Sequence, residues 1–104
     1  MPALSVEISR FVDDSNPGFV ECLLVDALGR SHLFVEKVPI VSTEDLWSTS
    51  VYPRPGVIAC AVEAEWKDGA GQSLARVSTE LPWHVESTTG QTQFIVFASQ
   101  LVDR

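Results

Sequence analysis

The chain has 104 residues, 45% of them hydrophobic, and fourteen acidic against seven basic side chains leave a formal charge of −7. That length allows one domain, residues 1–104, with a core of modest size, and the apolar fraction argues against disorder. The negative field repels phosphate backbones and anionic lipid, so neither a nucleic acid nor a membrane is the expected partner.

The first strand is expected from Ala3 to Val12, with Leu4, Val6, Ile8 and Val12 on one face and Ser5, Glu7, Ser9 and Phe11 on the other. Asp13-Asp14-Ser15-Asn16-Pro17-Gly18 follows as a dense turn signal. The second strand, Phe19 to Asp26, is richer in apolar residues and reads as central. Ala27-Leu28-Gly29-Arg30 closes a hairpin in which Gly29 supplies a positive φ, and the third strand runs from Ser31 to Val38. Pro39 ends that ladder or marks an edge. Ser42-Thr43-Glu44-Asp45-Leu46-Trp47 then predicts one short helical turn near residues 42–48, capped by Ser42.

Tyr52-Pro53-Arg54-Pro55-Gly56 cannot be helix, and the alternation beyond it predicts a fourth strand from Val57 to Trp66. Ile58, Cys60, Val62, Ala64 and Trp66 would share one face, with Glu63 and Glu65 on the other. Lys67 to Gln72 is a turn, and Ser73 to Thr79 a fifth strand. His84 to Ser87 reads as a short strand, Thr88 to Gln91 as a turn, and Thr92 to Ser99 as the last strand, with residues 100–104 as a tail. Six to seven strands joined by short turns predict an all-β fold, a small antiparallel β-barrel or sandwich. Closure removes exposed edges, which favours the barrel.

The segment Gly56 to Glu63, its glycine-containing turn and the Leu74–Val77 strand resemble the second-domain β-barrel of translation GTPases. The likeness covers about a fifth of the chain and implies barrel topology. It implies no GTPase activity, because the chain contains no G-x-x-x-x-G-K-[ST] stretch to hold phosphates.

The start, Met1-Pro2-Ala3-Leu4, has neither a basic nor an apolar leader region, and no apolar run nears the roughly 20 residues that span a bilayer. A cytoplasmic location is therefore expected. Cys22 and Cys60 lie inside expected strands and read as reduced, buried small hydrophobes rather than as a disulfide or a C-x-x-C pair. His32 and His84 read as surface residues, and nothing around either cysteine predicts an activated thiolate. Asp13 to Asn16 lack the ligand spacing of a calcium loop, and turn chemistry explains them. No metal or cofactor is expected.

Glu7, Glu21, Glu36, Glu63 and Glu65 sit mid-strand, where acidic residues are depleted, and their phase predicts an acidic outer face. Trp47, Tyr52 and Trp83 flank the strands near prolines, with Arg54 between Pro53 and Pro55 and His84 beside Trp83. Tryptophan, tyrosine and arginine are over-represented at binding hot spots. Residues 41–56 form the longest connection without strand character, and long loops in small domains are disproportionately functional. The expected function is a non-enzymatic acidic interaction module, regulatory or immunity-type, that binds a basic partner protein. Its contacts would be Trp47, Tyr52, Arg54, Trp83, His84, Glu63 and Glu65. The alternative is a small-ligand binder or enzyme with a pocket at the barrel mouth, lined by Trp47, Tyr52, Trp83 and His84.

Overall fold

A computed structural model of the chain describes residues 1–15 and 17–104; Asn16, part of the expected turn at residues 13–18, lies outside the described residues. The elements are β1 (Pro2–Asp13), β2 (Phe19–Val25), β3 (Ser31–Lys37), α1 (Val38–Val41), β4 (Arg54–Ala59), β5 (Ala61–Lys67), β6 (Ser73–Ser78), β7 (Gln93–Phe97) and β8 (Leu101–Asp103), with a 3-10 turn at Ala98–Gln100 ending the expected last strand at Phe97. They form two antiparallel sheets, ordered β3-β2-β1-β4 with β8 on β1, and β5-β6-β7. The fold is all-β, as the alternation predicts. No closed barrel forms among the described residues. Between the two sheets run isolated backbone bonds, from Ala27 N–H to Ile95 O at 2.9 Å and from Thr88 N–H to Leu33 O at 2.8 Å.

The buried faces of the sheets meet in one apolar cluster. Leu4, Ile8, Val20, Leu24, Phe34 and Ile58 come from the larger sheet, and Ala75, Val77, Phe94 and Val96 from the smaller. Phe34 and Phe94 lie 5.6 Å apart between ring centres. Burial of each large side chain contributes about 1.5–3 kcal/mol.

The expected strand from Val57 to Trp66 is two strands in different sheets. Ala59 is the last β4 residue paired with β1, opposite Ala3, and Cys60 N–H donates to Pro2 O at 3.0 Å. Because β1 starts there, the ladder runs out, and the chain crosses to pair with β6 instead. The short helical turn lies at Val38–Val41 rather than near residues 42–48. Pro39 suits the first helical turn, whose amides need no intrahelical partner. Ser42 therefore closes the C-terminal end of α1, its N–H donating to Val38 O at 2.9 Å, instead of opening a helix, and its Oγ accepts the Glu44 amide at 3.0 Å in a local turn. The expected strand at residues 84–87 is absent. His84 sits at φ 50°, outside the strand region, and the tail instead contributes β8.

Three register shifts change which side chains face inward. In β1 the shift between Ile8 and Arg10 sets Phe11 opposite Val20, so Phe11 packs on the core and Val12 is exposed. A second shift follows between Phe11 and Asp13. In β5 the shift between Val62 and Ala64 sets Glu65 opposite buried Ala75 and Trp66 opposite Leu74. Residues directly opposite in an antiparallel pair share a face. Trp66 is therefore on the outer face, and Glu63 and Glu65 do not share one. Glu36 likewise stands opposite buried Val20, on the inner side of the sheet margin.

One turn is built three times. In Asp26–Arg30, Asp68–Gln72 and Ser87–Gln91 the first residue's N–H donates to the fifth residue's carbonyl at 2.9–3.0 Å. The fourth residue is Gly29, Gly71 or Gly90, with φ of 77°, 79° and 83°. The first side chain, Asp26, Asp68 or Ser87, accepts the amides of the third and fifth residues. Only glycine takes that φ without strain, and only a short oxygen side chain reaches both amides.

Candidate functional site

Residues 42–53, between α1 and β4, hold Trp47 by its backbone. Trp47 N–H donates to Ser50 Oγ at 2.9 Å, and its carbonyl accepts Ser50 N–H at 3.0 Å and Tyr52 Oη–H at 2.7 Å. Leu46 beside it is buried in the core. Trp47 as a whole is 66% exposed. A groove of about 250 Å³ lies next to it, with Phe11, Pro17, Val38, Pro39 and Leu46 as apolar lining and Asp14 and Asp45 as carboxylates. Gly18 belongs to the same wall because the Phe11 ring covers it: a Cβ there would stand 2.3 Å from Phe11 Cζ.

Tyr52 and Arg54 are struts of this loop rather than free contacts. Tyr52 is half-buried against the core, and the Arg54 guanidinium is paired with the Glu44 carboxylate across the loop. Trp83 lies elsewhere. The Arg104 guanidinium sits 4.7 Å above its ring and donates to the carbonyls of Pro39 and Ile40, tying Trp83 to the outside of α1. His84 is exposed and its Nε2 meets Glu86 at 2.8 Å. The groove that Trp47 lines includes none of Tyr52, Trp83 or His84. Glu63 pairs with Arg76 at 3.4 Å and accepts Gln93 Nε2–H at 3.1 Å on the outer face of the smaller sheet, whereas Glu65 is exposed at its end.

His32 is not a surface residue. It is 9% exposed, bonded through Nε2 to Asp26 Oδ2 at 2.7 Å, and edge-on to Phe94 at 4.8 Å. Burial pushes the Asp26 carboxyl up, but hydrogen bonds from His32 and from the Arg30 and Leu28 amides outweigh it and hold the group below the usual aspartate value. Both cysteines are free and buried. Burial pushes the Cys22 thiol to about 12, helped by Glu36 and Glu21, and the Cys60 thiol to about 11. Thiols raised in this way are poor nucleophiles. No group of three or more histidine, cysteine or acidic residues is placed to hold a metal ion among the described residues, and no helix among them is long and apolar enough to cross a membrane.

The sequence pointed to residues 41–56 and to Trp47, but not to Phe11, Asp14, Pro39 or Asp45 as its neighbours. The signals at hand were Pro17-Gly18 and Pro39, which break the strands on the facing side of the groove. Compared with protein-family models, with curated proteins and with solved structures, the chain matches none.

Proposed function

We propose that the protein is an acidic, non-enzymatic interaction module that takes a basic segment of a partner protein into the groove beside Trp47. The observation that carries this reading is the fixed backbone of Trp47, a residue two-thirds exposed. Exposed tryptophan beside an apolar groove is the composition of a binding hot spot, and a pre-ordered anchor loses little entropy on binding. Asp14 and Asp45 in the groove, within a chain of net charge −7, favour a lysine- or arginine-bearing segment. A regulatory or immunity-type role, neutralising a basic partner, agrees with that charge. The free thiols of Cys22 and Cys60 fit a reducing compartment, and the cytoplasm is the location proposed with this function.

The test is an affinity capture with wild type, Trp47→Ala and Asp45→Asn as matched baits, at low and high salt, with retained proteins identified by mass spectrometry. A basic protein held by wild type and weakened about 30-fold by Trp47→Ala is the expected result. Weakening by Asp45→Asn at low salt alone would assign the carboxylate to steering. Equal retention by Trp47→Ala, or no specific partner at either salt, would sink the reading.

A further inference from the structure

A second groove, of about 220 Å³, lies where the Asp26–Arg30 turn meets β7, and its lining includes Leu28, Arg30, Arg76, Gln91, Gln93 and Ile95. Two of the chain's five arginines share it. The other three are engaged: Arg10 pairs with Glu21, Arg54 with Glu44, and Arg104 is spent on Trp83 and two carbonyls. Arg30 has no carboxylate within ion-pair distance among the described residues. Arg76 comes no nearer to Glu63 than 3.4 Å, from Nε to Oε1, and its side chain is half-exposed.

Asp26 also borders this groove, but its oxygens are taken. Oδ1 accepts the Leu28 and Arg30 amides at 2.9 Å, and Oδ2 is held by His32. The donors left for a ligand are therefore the Arg30 guanidinium and the loosely paired Arg76 guanidinium. Beside them stand the side-chain amides of Gln91, which donates to the Gln93 carbonyl, and of Gln93, which donates to Glu63. Leu28, 60% exposed, and Ile95 give the groove an apolar side.

We propose that this groove binds a small organic carboxylate, with the charged end on Arg30 and Arg76 and the apolar body against Leu28 and Ile95. A planar carboxylate matches the guanidinium fork with two parallel hydrogen bonds, and the apolar side favours a carboxylate carried on a hydrocarbon body over a bare inorganic anion. The chain's negative field opposes any anion, so binding is weak and depends on salt. The site is separate from the groove beside Trp47 and does not rest on its role.

The experiment is an amide NMR titration of the full chain with sodium benzoate, and separately with inorganic phosphate, at constant ionic strength. Saturable shifts with benzoate that centre on Arg30, Arg76, Gln91 and Gln93 are expected. Arg30→Gln should weaken them about tenfold, the loss typical of one charged hydrogen-bonding partner. Arg30 makes no side-chain hydrogen bond or ion pair among the described residues, so this variant should keep the native fold; Leu28→Ser, also on an exposed position, should weaken benzoate and leave phosphate unchanged. No saturable shift, unchanged benzoate affinity in Arg30→Gln, or phosphate binding as tightly as benzoate would each overturn the proposal.

Discussion

Asp26 Oδ2 and His32 Nε2 stand 2.7 Å apart, both side chains nearly sealed from water, at the point where the β2–β3 hairpin meets β7. The Asp26 carboxyl is held below its ordinary value, so the folded state favours its ionised form. Its contribution is fully present above the unfolded value of about 3.9 and is lost as pH falls through the lower folded value. Glu36 works the other way. Burial raises its carboxyl, partly offset by Lys37, so the ionised form is penalised by folding at neutral pH. Urea unfolding from pH 7 to pH 2 should show Asp26→Asn losing stability mainly above pH 4, with a flatter acid limb. Glu36→Gln should gain stability at pH 7 and not at pH 3. A parallel displacement of either curve at all pH values would remove the assignment.

The three copies of one turn form an internal control. Asp68 accepts two amides, as Asp26 does, but is half-buried and has no histidine on its other oxygen. Asp68→Ala should cost about 1 kcal/mol, the value of a lost capping side chain. Asp26→Ala should cost about 2–4 kcal/mol, because it also leaves His32 buried without its partner. Equal costs in denaturant unfolding would mean that the histidine contact contributes nothing.

These turns were legible in the chain because their chemistry is local: Asp-Ala-Leu-Gly, Asp-Gly-Ala-Gly and Ser-Thr-Thr-Gly each carry the acceptor and the glycine in place. The strands around them were legible from alternation. The faces beyond each register shift were not, since one unpaired residue in β1 or β5 inverts the phase and only the partner strand shows where it falls. His32 could have been placed inside, because it alternates with Phe34 on β3. The groove beside Trp47 was half legible. Its loop stood out by length, while its facing wall comes from Phe11, Asp14, Ser15, Pro17, Gly18, Val38 and Pro39, distant in sequence.

Cys22 and Cys60 test burial directly. With thiols raised to about 12 and 11 and both side chains inside, neither presents a reactive thiolate at pH 8. A disulfide-exchange reagent should leave the native protein unlabelled over the time in which it modifies two thiols per chain in denaturant. Rapid labelling of one thiol in the native state would show that the junction at Cys60, where the chain passes between sheets, opens readily.

Gly56 stands where the larger sheet leaves no room for a side chain. It lies opposite Val6 on β4, and a Cβ there would stand 2.6 Å from Ile8 Cγ1, 2.8 Å from Ile8 Cδ1 and 3.1 Å from the Val41 carbonyl. Ile8 is completely buried and cannot swing aside. Overfilling a packed core of this kind costs about 1–3 kcal/mol, and Gly56→Ala should fall at the upper end of that range in urea unfolding. Ile8→Val removes Cδ1 and frees space for the shorter side chain to turn. The double variant should therefore lose less than the sum of the two single losses, because the residues are in contact. Strictly additive losses would show that the crowding is set by the Val41 carbonyl, and that α1 rather than β1 holds Gly56 to glycine.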